Sequence, residues 1–155
     1  MDRTTLGSLV WTLSTRWRTE VDRVTTPLGL THAQYSALLT LTALTRRGAK
    51  PTQRALADKL SVSAIYASKL LRALEGQGLI TRSQNPDDSR SILLSLTDEG
   101  QTRITEARSA VQALDAELTA PLGDPDGEDA QRLRIALRSL ILHQARREAE
   151  RQKKG

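Results

Sequence analysis

Apolar positions repeat at helical spacing along almost the whole chain of 155 residues. Leu6, Leu9, Val10, Leu13, Trp17, Val21 and Val24 recur at intervals of three and four, which predicts one amphipathic helix of about five or six turns. Thr26-Pro27-Leu28-Gly29 ends it. Thr31 and Gln34 then have the spacing of a capping box, in which the hydroxyl accepts a backbone N–H and the glutamine reaches back. The helix they open is expected to bury Tyr35, Leu38, Leu39, Leu41 and Thr42 and to stop near Gly48. Thr52 opens a short helix, Gln53 to Leu60, with Ala55, Leu56 and Leu60 inward. After a tight turn at Ser61-Val62, Ser63 caps a helix running to about Gln77, with Ala67, Leu70, Leu71 and Leu74 inward and Gly78 at its end.

The period then changes. Leu79 to Ser83 and Ser91 to Leu96 are short β-capable runs, and Gln84 to Arg90 between them is dense in turn residues. This predicts a β-hairpin with a long polar tip. Thr97-Asp98-Glu99 starts another helix, with a hydroxyl cap and acids where the helix dipole favours them. Its apolar stripe, Ile104, Ala107, Val111, Leu114 and Leu118, is narrow, like a coiled-coil seam. Pro121 to Gly127 breaks the helix. A last helix carries Leu133, Ala136, Leu137, Leu140 and Ile141, then becomes a polar, basic tail ending in Lys153-Lys154-Gly155. A helix–turn–helix followed at once by a hairpin is a winged helix–turn–helix. The stripes at 104–118 and 133–141 are too long for so small a module to cover, so a second copy is expected to cover them; packing within one subunit is the alternative. The expected fold is therefore mainly α with a small β-hairpin wing, a winged helix–turn–helix flanked by dimerisation helices. The first and last parts, 1–30 and 101–155, would dimerise, and 31–100 would form the winged module.

Composition narrows the chemistry. There is no cysteine, which removes disulfides, thiolate metal sites and thiol redox sensing. The two histidines, His32 and His143, leave little room for a multi-histidine metal site. No metal and no cofactor are expected. No apolar run is long enough to cross a membrane, and Asp2, Arg3, Arg16 and Arg18 do not make a signal peptide, so a cytoplasmic protein with no membrane partner is expected. A Gly-rich phosphate loop, a metalloprotease motif and a nucleophile elbow are all missing, and Gly76-Gln77-Gly78 leads into a strand rather than a helix, so an enzyme is not expected.

Charge is concentrated rather than spread. The chain carries a formal +5, and residues 46–90 alone carry nine basic against four acidic groups, also +5. Residues 1–45 sum to +1, 91–145 to −4 and the last ten residues to +3. A basic patch on one module attracts polyanions, nucleic acid first, although a solvated basic face is the plainer alternative.

The residues now in view resemble the MarR family of bacterial transcription regulators. The likeness is carried by Leu56-Ala57 to Leu60, by Ser63, by Leu74-Glu75 with Gly78-Leu79-Ile80, and by Arg82. It continues through Pro86-Asp87-Asp88-Ser89-Arg90 and Leu96-Thr97-Asp98-Glu99-Gly100. The Asp-x-Arg at 88–90 and the Leu-Thr-x-x-Gly at 96–100 are its specific parts. The resemblance implies a triangular homodimer with interlocked terminal helices. It implies two winged modules on a pseudo-palindromic duplex, usually as a repressor, and release of DNA when a small, often aromatic, acid binds. It also puts Arg90 in the minor groove with Asp88 orienting it.

The candidate DNA contacts follow. The helix from Ser63 should enter the major groove by its first turns. Ser63 and Ser68 can bond to phosphate or base edges, and Lys69 and Arg72 supply charge. Tyr66 offers a hydroxyl and a flat face, and Ile65 an apolar contact to a thymine methyl. Positions 65 and 66 depart from the small or hydroxyl residues common in the family. A core role for Ile65 and a scaffold role for Tyr66 are the alternatives. Thr52 and Gln53, Arg82, and Ser89 beside Asp88 and Arg90 complete the set. A guanidinium at a hairpin tip suits a narrow minor groove. For an effector, Trp11, Trp17, His32 and Tyr35 are the candidate ligand residues, against the plainer reading that Trp17 is core and His32 solvated. The functional reading is a sequence-specific, homodimeric repressor. A non-specific nucleic-acid-binding winged helix without a ligand switch is the rival.

Overall fold

The computed structural model describes residues 4–152. Met1, Asp2, Arg3 and the tail Lys153-Lys154-Gly155 lie outside the described residues, as do the side chains of Arg47 and Gln152. The element order is α1 (Leu6–Thr25), α2 (His32–Leu44), α3 (Gln53–Leu60), α4 (Ala64–Gly76), β1 (Ile80–Asn85), β2 (Asp88–Leu96), α5 (Asp98–Thr119) and α6 (Glu128–Gln152). It is a mainly helical chain with one antiparallel hairpin. Residues up to Gln112 form one compact unit and residues from Ala113 a second, so the boundary falls inside α5.

The caps are where side-chain chemistry required them. Thr31 Oγ1 accepts the Gln34 N–H while Gln34 Oε1 accepts the Thr31 N–H, closing the capping box. Thr52 and Ser63 accept the N–H groups of Ala55 and Tyr66. Thr97 accepts the Gly100 N–H at the start of α5 and donates its own hydroxyl proton to the Gly78 carbonyl. Gly78, past the end of α4, has φ +71°, a conformation that costs glycine nothing.

In the first unit Leu30, Leu38, Leu41, Leu56, Leu71, Leu74, Leu79, Ile80 and Leu94 are fully buried. Several expected inward positions differ. On α2, Ala37 joins Leu38 and Leu41, whereas Leu39 turns to solvent and Thr42 is half-buried. On α3, Leu56 and Ala57 are buried and Leu60 half-buried. That face centres between them, which swings Ala55 to the far side of a helix advancing about 100° per residue. On α4, Ala67, Leu71 and Leu74 are buried and Leu70 only half so.

The hairpin tip is also corrected. Instead of a seven-residue loop from Gln84 to Arg90, the strands extend until Asn85 pairs with Asp88 across a two-residue turn, Pro86-Asp87. The register jumps between Gln84 and Asn85, because Gln84 still pairs with Ile92. Ser89, Arg90 and Ser91 therefore bulge from the ladder. Side chains replace the missing ladder bonds. Gln84 Nε2 donates to the Ser89 carbonyl at 2.8 Å, Asn85 accepts the Asp87 N–H, and Asp88 accepts the Arg90 N–H. The polar composition that suggests a loop instead braces a bulge.

Two of the three terminal faces stay open. On α1 only Val21 of the expected stripe is buried; Leu6, Leu9, Val10 and Leu13 are exposed. On α6, Leu133, Leu140 and Ile141 are exposed, with Ile135 and Leu142 beside them, and Leu137 is half-buried. The α5 stripe differs from expectation, since Ile104, Ala107 and Leu114 are already buried in the single chain. No described helix is long and apolar enough to cross a membrane.

Candidate nucleic-acid interface

The start of α3 is tied to the wing. The Leu94 N–H donates to the Pro51 carbonyl at 2.9 Å, and Thr52 bridges to Leu93. This sets the first turn of α3 beside β2. A groove of about 680 Å³ opens there, lined in part by Thr52, Gln53, Arg54, Asp88 and Arg90. Arg54 at its edge is exposed; in the sequence it is one of the nine basic groups of 46–90, with nothing local to set it apart as a site residue.

The outward face of α4 holds a second set of groups. Ile65, Lys69 and Arg72 follow one another at intervals of four and three, opposite the buried Ala67, Leu71 and Leu74. Ile65 is 85% exposed and Tyr66 48% exposed, so neither is a core residue. Ser68 Oγ accepts a bond from Arg72 Nη2 at 3.1 Å, which steers the guanidinium. The Ser63 hydroxyl oxygen is engaged in its cap, although a hydroxyl retains capacity for a further partner.

At the wing tip the Arg90 side chain is 93% exposed, and its Nε lies 3.6 Å from Asp88 Oδ1. An exposed pair of that kind is worth little as stability. Its geometric effect is larger, since the same carboxylate oxygen also holds the Arg90 backbone N–H. Ser89, exposed beside it, is fixed through its carbonyl by Gln84.

Arg82 is placed differently from the other cations. Its side chain is only 19% exposed, with Nη1 3.4 Å from Glu75 Oε2 and Nη2 3.3 Å from Gln53 Oε1. Its Nε is buried without a hydrogen-bond partner. Arg82 thus joins β1 to α4 and α3, and Gln53 is drawn into the same contact. A sequence shows a cation here but not the groups that occupy it.

The residues considered for an effector are only partly gathered. Trp11 is exposed, Trp17 and His32 are half-buried, and Tyr35 is buried. The His32 backbone N–H donates to Asp22 Oδ1 at 2.6 Å, joining α1 to the start of α2. Burial raises the Tyr35 phenol above its usual pKa, against the opposing pull of the Arg108 guanidinium. Arg108 was not among the sequence candidates. Polar bonds also connect this region to the end of α4 and to α5. Gln34 Nε2 donates to Gln77 Oε1 at 3.4 Å, Gln77 Nε2 donates to the Gly29 carbonyl, and Arg103 Nη1 donates to the Leu28 carbonyl.

Comparisons with known proteins show what the chain is similar to. The family model described as MarR family matches residues 30–92. An uncharacterised HTH-type transcriptional regulator of Bacillus subtilis, YdcH, is 34% identical over 72% of this chain and 76% of its own length. The transcriptional repressor CouR, solved bound to a 23-mer DNA duplex, is 31% identical with a TM-score of 0.75, covering 91% of this chain and 92% of its own. A mutant of MarR from E. coli, solved in complex with operator DNA, is 26% identical with a TM-score of 0.77, over 88% and 93% of the two chains.

Proposed function

The chain belongs to the MarR family of DNA-binding transcription regulators, which are not enzymes, and from that premise we propose that it is a homodimeric repressor of a pseudo-palindromic operator. Residues 31–100 act as the DNA-binding module, and 1–30 with 101–155 as the dimerisation region. The observation that carries the reading is the pairing of two outward cationic elements: α4 with Lys69 and Arg72, and the wing tip with a freely exposed Arg90. The first suits a major groove and the second a minor groove. Thr52, Gln53, Ser63, Ser68 and Ser89 contact or orient at the backbone, Ile65 and Tyr66 meet base edges, and Asp88 aims Arg90. Arg82 acts indirectly, by holding wing and helices in register through Glu75 and Gln53.

Support for the second copy comes from the open apolar faces of α1 and α6. Exposed apolar stripes of this kind mark interfaces. A small aromatic acid is the effector class, with Trp11, Trp17, His32 and Tyr35 as its candidate contacts. The cation of Arg108 beside Tyr35 suits a carboxylate. Such a ligand releases DNA only if it binds one arrangement of the modules better than the other.

A gel shift on the DNA upstream of the protein's own gene, with non-specific competitor and a panel of aromatic acids, tests both parts. Retention against competitor is expected, with loss of the complex on adding an active acid. Equal competition by any duplex or RNA would instead establish the non-specific rival, and indifference to the whole panel would remove the effector reading alone.

Arg90→Ala is expected to weaken operator binding by roughly 1–3 kcal/mol and to lower the salt slope by about one unit. Fluorescence anisotropy across a salt series measures both. Unchanged affinity and slope would take Arg90 out of the groove.

A further inference from the structure

Within residues 31–100, the described large apolar side chains that stay exposed are Leu39, Ile65 and Tyr66, and Ile65 is by far the most exposed. It contributes nothing to the core, which α4 reaches through Ala67, Leu71 and Leu74. It is the second residue of α4, one turn ahead of Lys69 and about two ahead of Arg72 on the same face. Its backbone is held by the Ser63 cap, whose hydroxyl accepts the neighbouring Tyr66 N–H at 3.2 Å.

We propose that Ile65 is a specificity-determining residue that reads the methyl group of one thymine in each half of the operator. This rests on the reading that α4 enters the major groove. The cations behind it are drawn to phosphate, which brings the start of the helix to the base edges. An isoleucine side chain has no donor or acceptor. The apolar group that a base offers in the major groove is the C5-methyl of thymine. Guanine, adenine or cytosine at that step would instead leave polar base atoms desolvated against a hydrocarbon, which disfavours them. Attraction to thymine and rejection of the other bases thus come from the same side chain.

The full-length protein is used to enrich bound duplexes from a random pool. Each thymine of the selected site is then replaced by deoxyuridine, which deletes that methyl alone. One thymine per half-site is expected to be sensitive, losing about fourfold in affinity, the worth of one buried methyl-sized group. The Ile65→Ala variant should bind the thymine site more weakly by a similar factor and be indifferent to deoxyuridine. The Ile65→Val variant should stay sensitive. Thermal stability should not change in either variant, because the side chain is exposed. If every thymine tolerates the replacement, or the Ile65→Ala variant keeps the same sensitivity, the assignment is overturned while the operator itself stands. A pool that enriches no sequence would overturn the operator reading as well.

Discussion

Gly100→Ala is expected to cost about 3 kcal/mol of stability, the upper part of the range for forcing an extra carbon into a filled site. A Cβ on Gly100 would lie 1.9 Å from the Leu79 carbonyl oxygen and 2.9 Å from its carbon. The obstacle is backbone, so no rotamer change relieves it. That same carbonyl accepts the Thr97 N–H at 3.1 Å, which fixes it against the start of α5. Moving it would disturb the junction of β1, β2 and α5. For a chain of this size the loss corresponds to a fall in Tm of about 10 °C. Gly76→Ala is the control: its Cβ meets nothing within 4 Å, and alanine's better helix propensity should leave Tm equal or slightly higher. Calorimetry on both variants decides the matter, and a Gly100→Ala protein melting with the wild type would refute the contact.

The second large effect follows from the open face of α1. The double variant Leu9→Asp/Leu13→Asp should be monomeric by light scattering and should bind the full operator about 10²–10⁴-fold more weakly, because two linked modules have become two separate ones. Both leucines are exposed in the single chain, so fold content by circular dichroism should be kept. A variant that remains dimeric with full affinity would place the interface elsewhere. This pair is sharper than removing residues 1–24, which would also delete the buried Val21 and the Asp22 carboxylate that holds the start of α2.

Much of the fold was legible because helix starts are written in single side chains. Thr31 with Gln34, Thr52, Ser63 and Thr97 each announce a cap, and each makes one. The motif Leu96-Thr97-x-x-Gly100 was visible as a pattern, but its reason was not: Gly100 faces a carbonyl about twenty residues earlier, and no local rule reveals that distance. The stripe on α1 was legible as apolar, yet periodicity says nothing about what covers it. Charge gave the location of the candidate site and overcounted its free cations. Arg82 carries the same formal charge as Arg90, but it is occupied by Glu75 and Gln53 while Arg90 stands in solvent. The wing tip was misread for a related reason. Asn85, Asp88 and Gln84 are turn-forming residues, and here their side chains supply main-chain partners within a bulge.

That bulge has an evolutionary consequence. The base of the hairpin keeps its pairing through Ile80↔Leu96 to Gln84↔Ile92, while the tip is braced by the side chains of Gln84 and Asp88. The two parts meet at Gln84, which pairs with Ile92 in the ladder while its side chain braces Ser89 at the tip. Substitutions at the bulged positions 89–91 can alter the aim of Arg90 without changing a paired position, and so without touching the register that packs Leu94 into the core. A lineage can therefore retune how the tip meets DNA while inheriting the scaffold unchanged.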